Sequence, residues 1–253
     1  MKVASIQTSP SFRQKRENLR RLASLVTQAA EAGAKLIVMP ELATTGYTYM
    51  NKGEALEDAE TVSLREGDAI SETMGVMWAL ARKYDTHLIW GMIEKDIGSG
   101  KVYNTQVYLE PDGYFESYRK INRWGNDYLW ATAGISNPPV IKAGGLDGKK
   151  VGLLICRDVR DKVNDDWKNL YSPGDADIVA LSANWGDGGF PAVTWVDFAT
   201  ENKVTLIVSN RYGQEGPNDF GEGGICVIDP DGEVHCEGLV WSQDCIVYSE
   251  IPG

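Results

Sequence analysis

Cys156 closes the apolar run Lys150–Cys156 (Lys-Val-Gly-Leu-Leu-Ile-Cys), and the residues after it read as a helix. A thiol at a strand-to-helix turn lies beside unpaired backbone amides. Those amides lower its pKa and can hold a developing oxyanion. Such a nucleophile needs a base. His87 opens a strand and His235 lies in a hairpin arm, so neither histidine fits, and a carboxylate must move the proton. Glu41 follows the apolar run Leu36–Met39 and Pro40, at the carboxyl end of a buried strand, where α/β sites gather. Burial near a thiol would raise its pKa toward neutrality and suit it to general base work. Lys120 ends an alternating run, and a cation there would favour a thiolate and a tetrahedral oxyanion. Taken singly, each residue has a plain alternative as core cysteine, loop acid or strand-end lysine.

The surrounding pattern supplies elements to position them. Lys2–Thr8 alternates as a strand, Arg13–Gly33 has helical apolar spacing, and Leu36–Met39 is a short buried strand. Ala69–Tyr84 reads as a helix and His87–Ile93 as a strand. Val102–Glu110 and Tyr114–Tyr118 flank a Pro-Asp-Gly turn at Pro111–Gly113. Lys120–Pro139 is long and irregular, and its Trp124, Tyr128 and Trp130 argue for order. After Cys156 the pattern resumes: a helix near Asp161–Tyr171, a strand at Asp177–Ser182, a helix at Ala192–Lys203 and a strand at Val204–Ser209. A second Pro-Asp-Gly hairpin, Pro230–Gly232, joins Gly224–Asp229 to Glu233–His235, and Cys245–Ile251 closes the chain as a strand. The two halves share one layout. This predicts an α/β fold of two packed sheets with outer helices, one domain over residues 1–253.

Composition narrows the function. The 253 residues are 43% hydrophobic and 24% charged, which excludes a disordered chain or a small disulfide scaffold. A net charge of −11 disfavours nucleic acid and anionic membrane surfaces as partners. No run reaches the ~18 apolar residues of a membrane span, and the basic stretch follows the first strand, the reverse of a signal peptide. A cytoplasmic protein with free thiols is expected. No Cys-x-x-C or helical His pair is present, so no metal site is expected, and Cys226, Cys236 and Cys245 carry no assigned chemistry.

Together, Pro40-Glu41-Leu42-x-x-x-Gly46-Tyr47, Tyr118-Arg119-Lys120-Ile121 and Gly152-Leu153-Leu154-Ile155-Cys156-Arg157-Asp158 resemble blocks of the nitrilase superfamily of carbon–nitrogen hydrolases. The intervals of 79 and 36 residues between Glu41, Lys120 and Cys156 suit that family. Asn184-Trp185, Trp195, Glu201-Asn202, Asn210-Arg211-x-Gly213 and the run Cys226–Gly232 resemble its later blocks, so the resemblance covers nearly the whole chain. It implies a four-layer αββα sandwich, a Glu41–Lys120–Cys156 triad, no metal or organic cofactor, a small-molecule amide substrate, and a homodimer or larger homo-oligomer. Many members carry a second glutamate after the lysine. Asp127 stands at that place, one methylene shorter, and Ala133 replaces the proline that follows. Cys156-Arg157-Asp158 differs from the Cys-Trp-Glu of nitrile-cleaving relatives and is closer to the amidase and carbamoylase branches. Hydrolysis of a small linear amide to a carboxylate and ammonia is therefore expected. N-carbamoyl hydrolysis and nitrile cleavage are alternatives, and a catalytically silent binding relative is the reading from another class. Tyr47, Trp124, Trp130, Asn184 and Trp185 are candidates for the pocket wall, and Arg157, Arg123 and Arg211 for a carboxylate clamp.

Overall fold

The computed structural model describes residues 1–65, 67–159, 176–186 and 189–252. In chain order these form β1 (Lys2–Gln7), α1 (Lys15–Glu31), β2 (Leu36–Val38), α2 (Lys52–Asp58), α3 (Glu72–Tyr84), β3 (His87–Lys95), β4 (Val102–Leu109) and β5 (Phe115–Arg119). Then follow α4 (Asp127–Trp130), β6 (Val140–Lys142), β7 (Lys150–Ile155), a single 3-10 turn at Cys156–Val159, β8 (Ile178–Ser182), α5 (Val193–Asn202) and β9 (Thr205–Ser209). The short strands β10 (Gln214–Glu215), β11 (Asn218–Asp219), β12 (Cys226–Ile228) and β13 (Val234–His235) precede β14 (Cys245–Glu250). The helix expected near Asp161–Tyr171 lies outside the described residues. α2, α4, β6 and the β10–β11 hairpin are additions to the elements read from sequence.

Two six-stranded mixed sheets run in the orders β14-β1-β2-β3-β4-β5 and β6-β7-β8-β9-β12-β13. Written this way they match strand for strand. Each has three parallel central strands, one antiparallel strand on one side and an antiparallel hairpin on the other. The likeness of the two halves is therefore topological, and the two Pro-Asp-Gly turns occupy matching hairpins.

Alternation sorts the strand side chains into layers. Val3, Leu36, Val38 and Ile89 face the second sheet and share a core with Leu153, Val179, Leu181 and Val208. Their neighbours Ala4, Ile37, Leu88 and Trp90 face outward beneath α1 and α3. α1 presents Leu19, Leu22, Val26 and Ala29 at helical spacing to that layer and stops at Gly33, whose φ of 91° suits glycine. Trp195 and Ala199 of α5 cover the second sheet, completing four layers. Ser5 donates its hydroxyl to Val208 O, and Ser209 returns one to Ile6 O, so β1 and β9 are pinned across the seam.

Candidate active site

The loop after β2 carries Glu41. It is drawn onto β3 by backbone bonds from Gly91 N to Pro40 O (3.0 Å) and from Ala43 N to Gly91 O (3.0 Å). Only glycine permits this approach. A Cβ at residue 91 would lie 2.4 Å from Leu42 N and 2.6 Å from Glu41 Cα. Lys120 follows β5 directly, Asp127 opens α4, and Cys156 follows β7. Cys156 has φ +46°, a strained left-handed conformation for a residue with a Cβ.

The first sheet brings three of the expected residues into contact. Lys120 Nζ lies 2.7 Å from Glu41 Oε1 and 2.7 Å from Asp127 Oδ2, and all three side chains are buried. The shorter acid at 127 therefore reaches the lysine. Asn104 of β4 donates from Nδ2 to Glu41 Oε1 (2.7 Å) and to Asp127 Oδ1 (3.2 Å), and Trp124 N–H donates to Asp127 Oδ2 (3.1 Å). The backbone of Asn184 links this cluster to the second sheet. Its N–H donates to Glu41 Oε2 at 2.9 Å, and its carbonyl accepts from the Cys156 thiol at 3.8 Å.

The charges explain the protonation states. Burial alone would lower the pKa of Lys120, but Asp127 and Glu41 outweigh it and hold the ammonium well above its usual range. Burial raises Glu41, opposed by Lys120 and assisted by the negative Asp127. Burial also raises the Cys156 thiol, and the Glu41 charge adds to this against the pull of Lys120. The sequence led us to expect a thiol pKa lowered by backbone amides. The structure corrects this: burial and the neighbouring Glu41 carboxylate push the thiol up, not down.

The aromatic and arginine candidates divide. Tyr47 is buried, donates its hydroxyl to Trp124 O and packs edge-on against Phe220. Its N–H (2.7 Å) and that of Thr48 (2.6 Å) donate to Glu215 Oε1, while Arg211 holds Glu215 Oε2 at 2.9 Å. Arg211 is thus a buried brace for the 47–48 loop, stacked 4.2 Å above Phe220, and not a substrate clamp. Trp124 is 47% exposed, and Arg157 sits 4.7 Å above its ring. Arg123 stacks on Tyr128 at 5.0 Å and donates to Ala131 O. Trp130 is buried beside Tyr49, and Trp185 is buried edge-on against Trp195. The side-chain amide of Asn184 is buried, yet neither its Oδ1 nor its Nδ2 has a hydrogen-bond partner among the described residues.

Three contributors were not singled out from sequence. Asn104, Gly91 and Glu215 each serve a partner far along the chain. Asn104 is one of three consecutive polar residues in β4, so nothing in the sequence marks it out. The histidines stand apart from the cluster. His87 Nδ1 meets the Tyr108 hydroxyl at 2.9 Å, and His235 Nε2 lies 3.8 Å from Asp229. Among the described residues, Asp229, Glu233 and His235 form a group with metal-ligand spacing, in the second hairpin.

A family model described as carbon-nitrogen hydrolase matches residues 2–252. A nitrilase of Pyrococcus abyssi is 30% identical, the match covering 92% of this chain and 83% of that protein. A 2-oxoglutaramate amidase of Bacillus subtilis is 28% identical over 98% of this chain and 90% of its own length. An amidase from Nesterenkonia sp. of known structure superposes with a TM-score of 0.80 at 24% identity, over 100% of this chain and 90% of that one. Another structure of that amidase carries acrylamide added to its active-site cysteine.

Proposed function

This chain belongs to the carbon–nitrogen hydrolase family, and we propose that it hydrolyses a small linear primary amide to a carboxylate and ammonia. The observation that supports this reading is the Asn184 backbone, which holds the Glu41 carboxylate and the Cys156 thiol on its two sides while Lys120 meets Glu41.

The chemistry follows from those positions. Glu41 takes the thiol proton as Sγ attacks the amide carbon. Charge that develops on the carbonyl oxygen falls to the Lys120 ammonium and the Arg157 N–H. Glu41 returns the proton to the leaving nitrogen, which departs as ammonia and leaves a thioester. The same carboxylate then deprotonates a water that attacks the thioester, and the second collapse restores the thiol and releases the acid. Asp127 keeps Lys120 charged and fixed throughout. A buried lysine held by two carboxylates serves as an immobile electrophilic donor, with no proton to exchange near neutral pH.

Relatives named as a 2-oxoglutaramate amidase and an omega-amidase favour a primary amide over a nitrile. We also infer a homodimer or larger assembly from the family resemblance, to be checked by light scattering. The test of function is ammonia release from aliphatic, aromatic and ω-amides, N-carbamoyl compounds and nitriles, with Cys156→Ala alongside. We expect release from an amide by wild type, reduced by about 10⁴-fold or more in the variant. Release from nitriles alone, or equal release by both proteins, would refute the reading.

A further inference from the structure

Asp158 takes no part in the proton transfers above. Its Oδ1 accepts the N–H of Asn122 at 3.1 Å, and its Oδ2 accepts the N–H of Ile155 at 3.2 Å. The Tyr118 hydroxyl donates to the same carboxyl group. Tyr118, in β5, and Asn122 flank Lys120, which follows the end of that strand. Ile155 precedes Cys156 in the second. The bond from Ile155 N–H to the Asp158 side chain also spans Cys156, whose φ of +46° persists only if its surroundings impose it.

We propose that Asp158 is a positioning residue: its carboxylate clasps the strained Cys156 turn to the strand end that carries Lys120, fixing thiol and ammonium relative to each other. Three donors converge on this group, so it must offer acceptors only. An asparagine would turn an NH₂ toward one of them. A glutamate keeps the acceptors and the charge. Displacement of a reacting group by about 1 Å can cost on the order of 10²-fold in rate, so loosening this clasp should act on turnover far more than on substrate binding.

The kinetic arm of the test rests on the hydrolase reading, whereas a thiol-reactivity arm stands without it. Asp158→Asn, Asp158→Glu and Tyr118→Phe would be made in the full chain. For each, kcat and KM on an amide turned over by wild type, the rate of Cys156 alkylation by acrylamide read by intact mass, and the melting temperature would be measured. We expect Asp158→Asn to lower kcat by about tenfold or more with KM within about threefold, and to slow alkylation similarly. Asp158→Glu should recover most of both rates, and Tyr118→Phe should fall between. Wild-type kcat and alkylation in Asp158→Asn, with or without a lower melting temperature, would overturn the proposal. So would a rise in KM alone, or a glutamate variant no better than asparagine. If Asp158→Asn does not fold, unchanged rates in Tyr118→Phe overturn it. If wild type hydrolyses no amide, the proposed function fails, and alkylation alone decides the role of Asp158.

Discussion

Asp127 reaches its partner with a short side chain. One methylene shorter than a glutamate, it meets Lys120 at 2.7 Å because α4 starts at its own position and sets it close. Both its oxygens are engaged, by Lys120 and Trp124 N–H on one side and Asn104 on the other. Asp127→Asn should therefore lower kcat by about 10²-fold, because Lys120 loses one of its two counter-charges in a buried cage. Asp127→Glu keeps the charge but adds volume, and should cost about 1–3 kcal/mol of stability. Steady-state kinetics and thermal melts on both variants check this. Protons act on two other residues with opposite signs. Burial lifts Asp158 to about 6, above its unfolded value, so the acceptor-only carboxylate is the form present above about pH 6, while below that the fold holds its proton more tightly than the unfolded chain does. Its stabilising contribution is full below about pH 4 and is lost as pH rises through about 6. Burial instead lowers the His87 imidazole. Its contribution is full above about pH 6.5 and is lost as pH falls. In melts from pH 4.5 to 7.5, the margin of wild type over Asp158→Asn should shrink with rising pH, and its margin over His87→Gln should grow.

The loop after β2 is the element on which the site turns. It lies against β3 at a glycine, and its far end is held by the Glu215 carboxylate on the N–H groups of Tyr47 and Thr48. Gly91→Ala should push Glu41 off Lys120. We expect at least a tenfold loss of kcat and about 1–3 kcal/mol of stability, measured by kinetics and denaturant unfolding. Sequence showed the loop but not its braces. Pro40 after an apolar run marks the strand's end, and Glu41 stands out by its place at the carboxyl end of a buried strand. Lys120 and Cys156 likewise stand at the ends of readable runs. Gly91, Asn104 and Glu215 are ordinary residues within ordinary segments, and their importance comes from partners that only the fold brings beside them. Arg211 misled for another reason: Glu215 lies only four residues on, but nothing in the sequence shows that the loop folds back to bury the pair. The thiol pKa misled because the turn's amides were legible, while the desolvation that outweighs them is a property of the packed interior.

At the scale of the whole molecule, two sheets of matching strand order meet face to face, and the candidate site draws Glu41, Lys120 and Asp127 from one and Cys156 and Asn184 from the other. The buried hydroxyls of Ser5 and Ser209 exchange bonds with the opposite sheet, and Ser182 donates to Met39 O at 2.7 Å, two residues before Glu41. Ser182→Ala leaves Met39 O and Gln106 Nε2 each one partner short, and should cost about 1–3 kcal/mol in a denaturant melt. The seam gives these contacts a second meaning. A reaction centre divided between two slabs works as a vernier. A slip of one slab along the other too small to register as unfolding, with each hydrophobic layer still covered, separates the thiol from its base. On heating, turnover should therefore fade several degrees before circular dichroism changes, and a graft that reproduced either sheet alone would inherit half a mechanism.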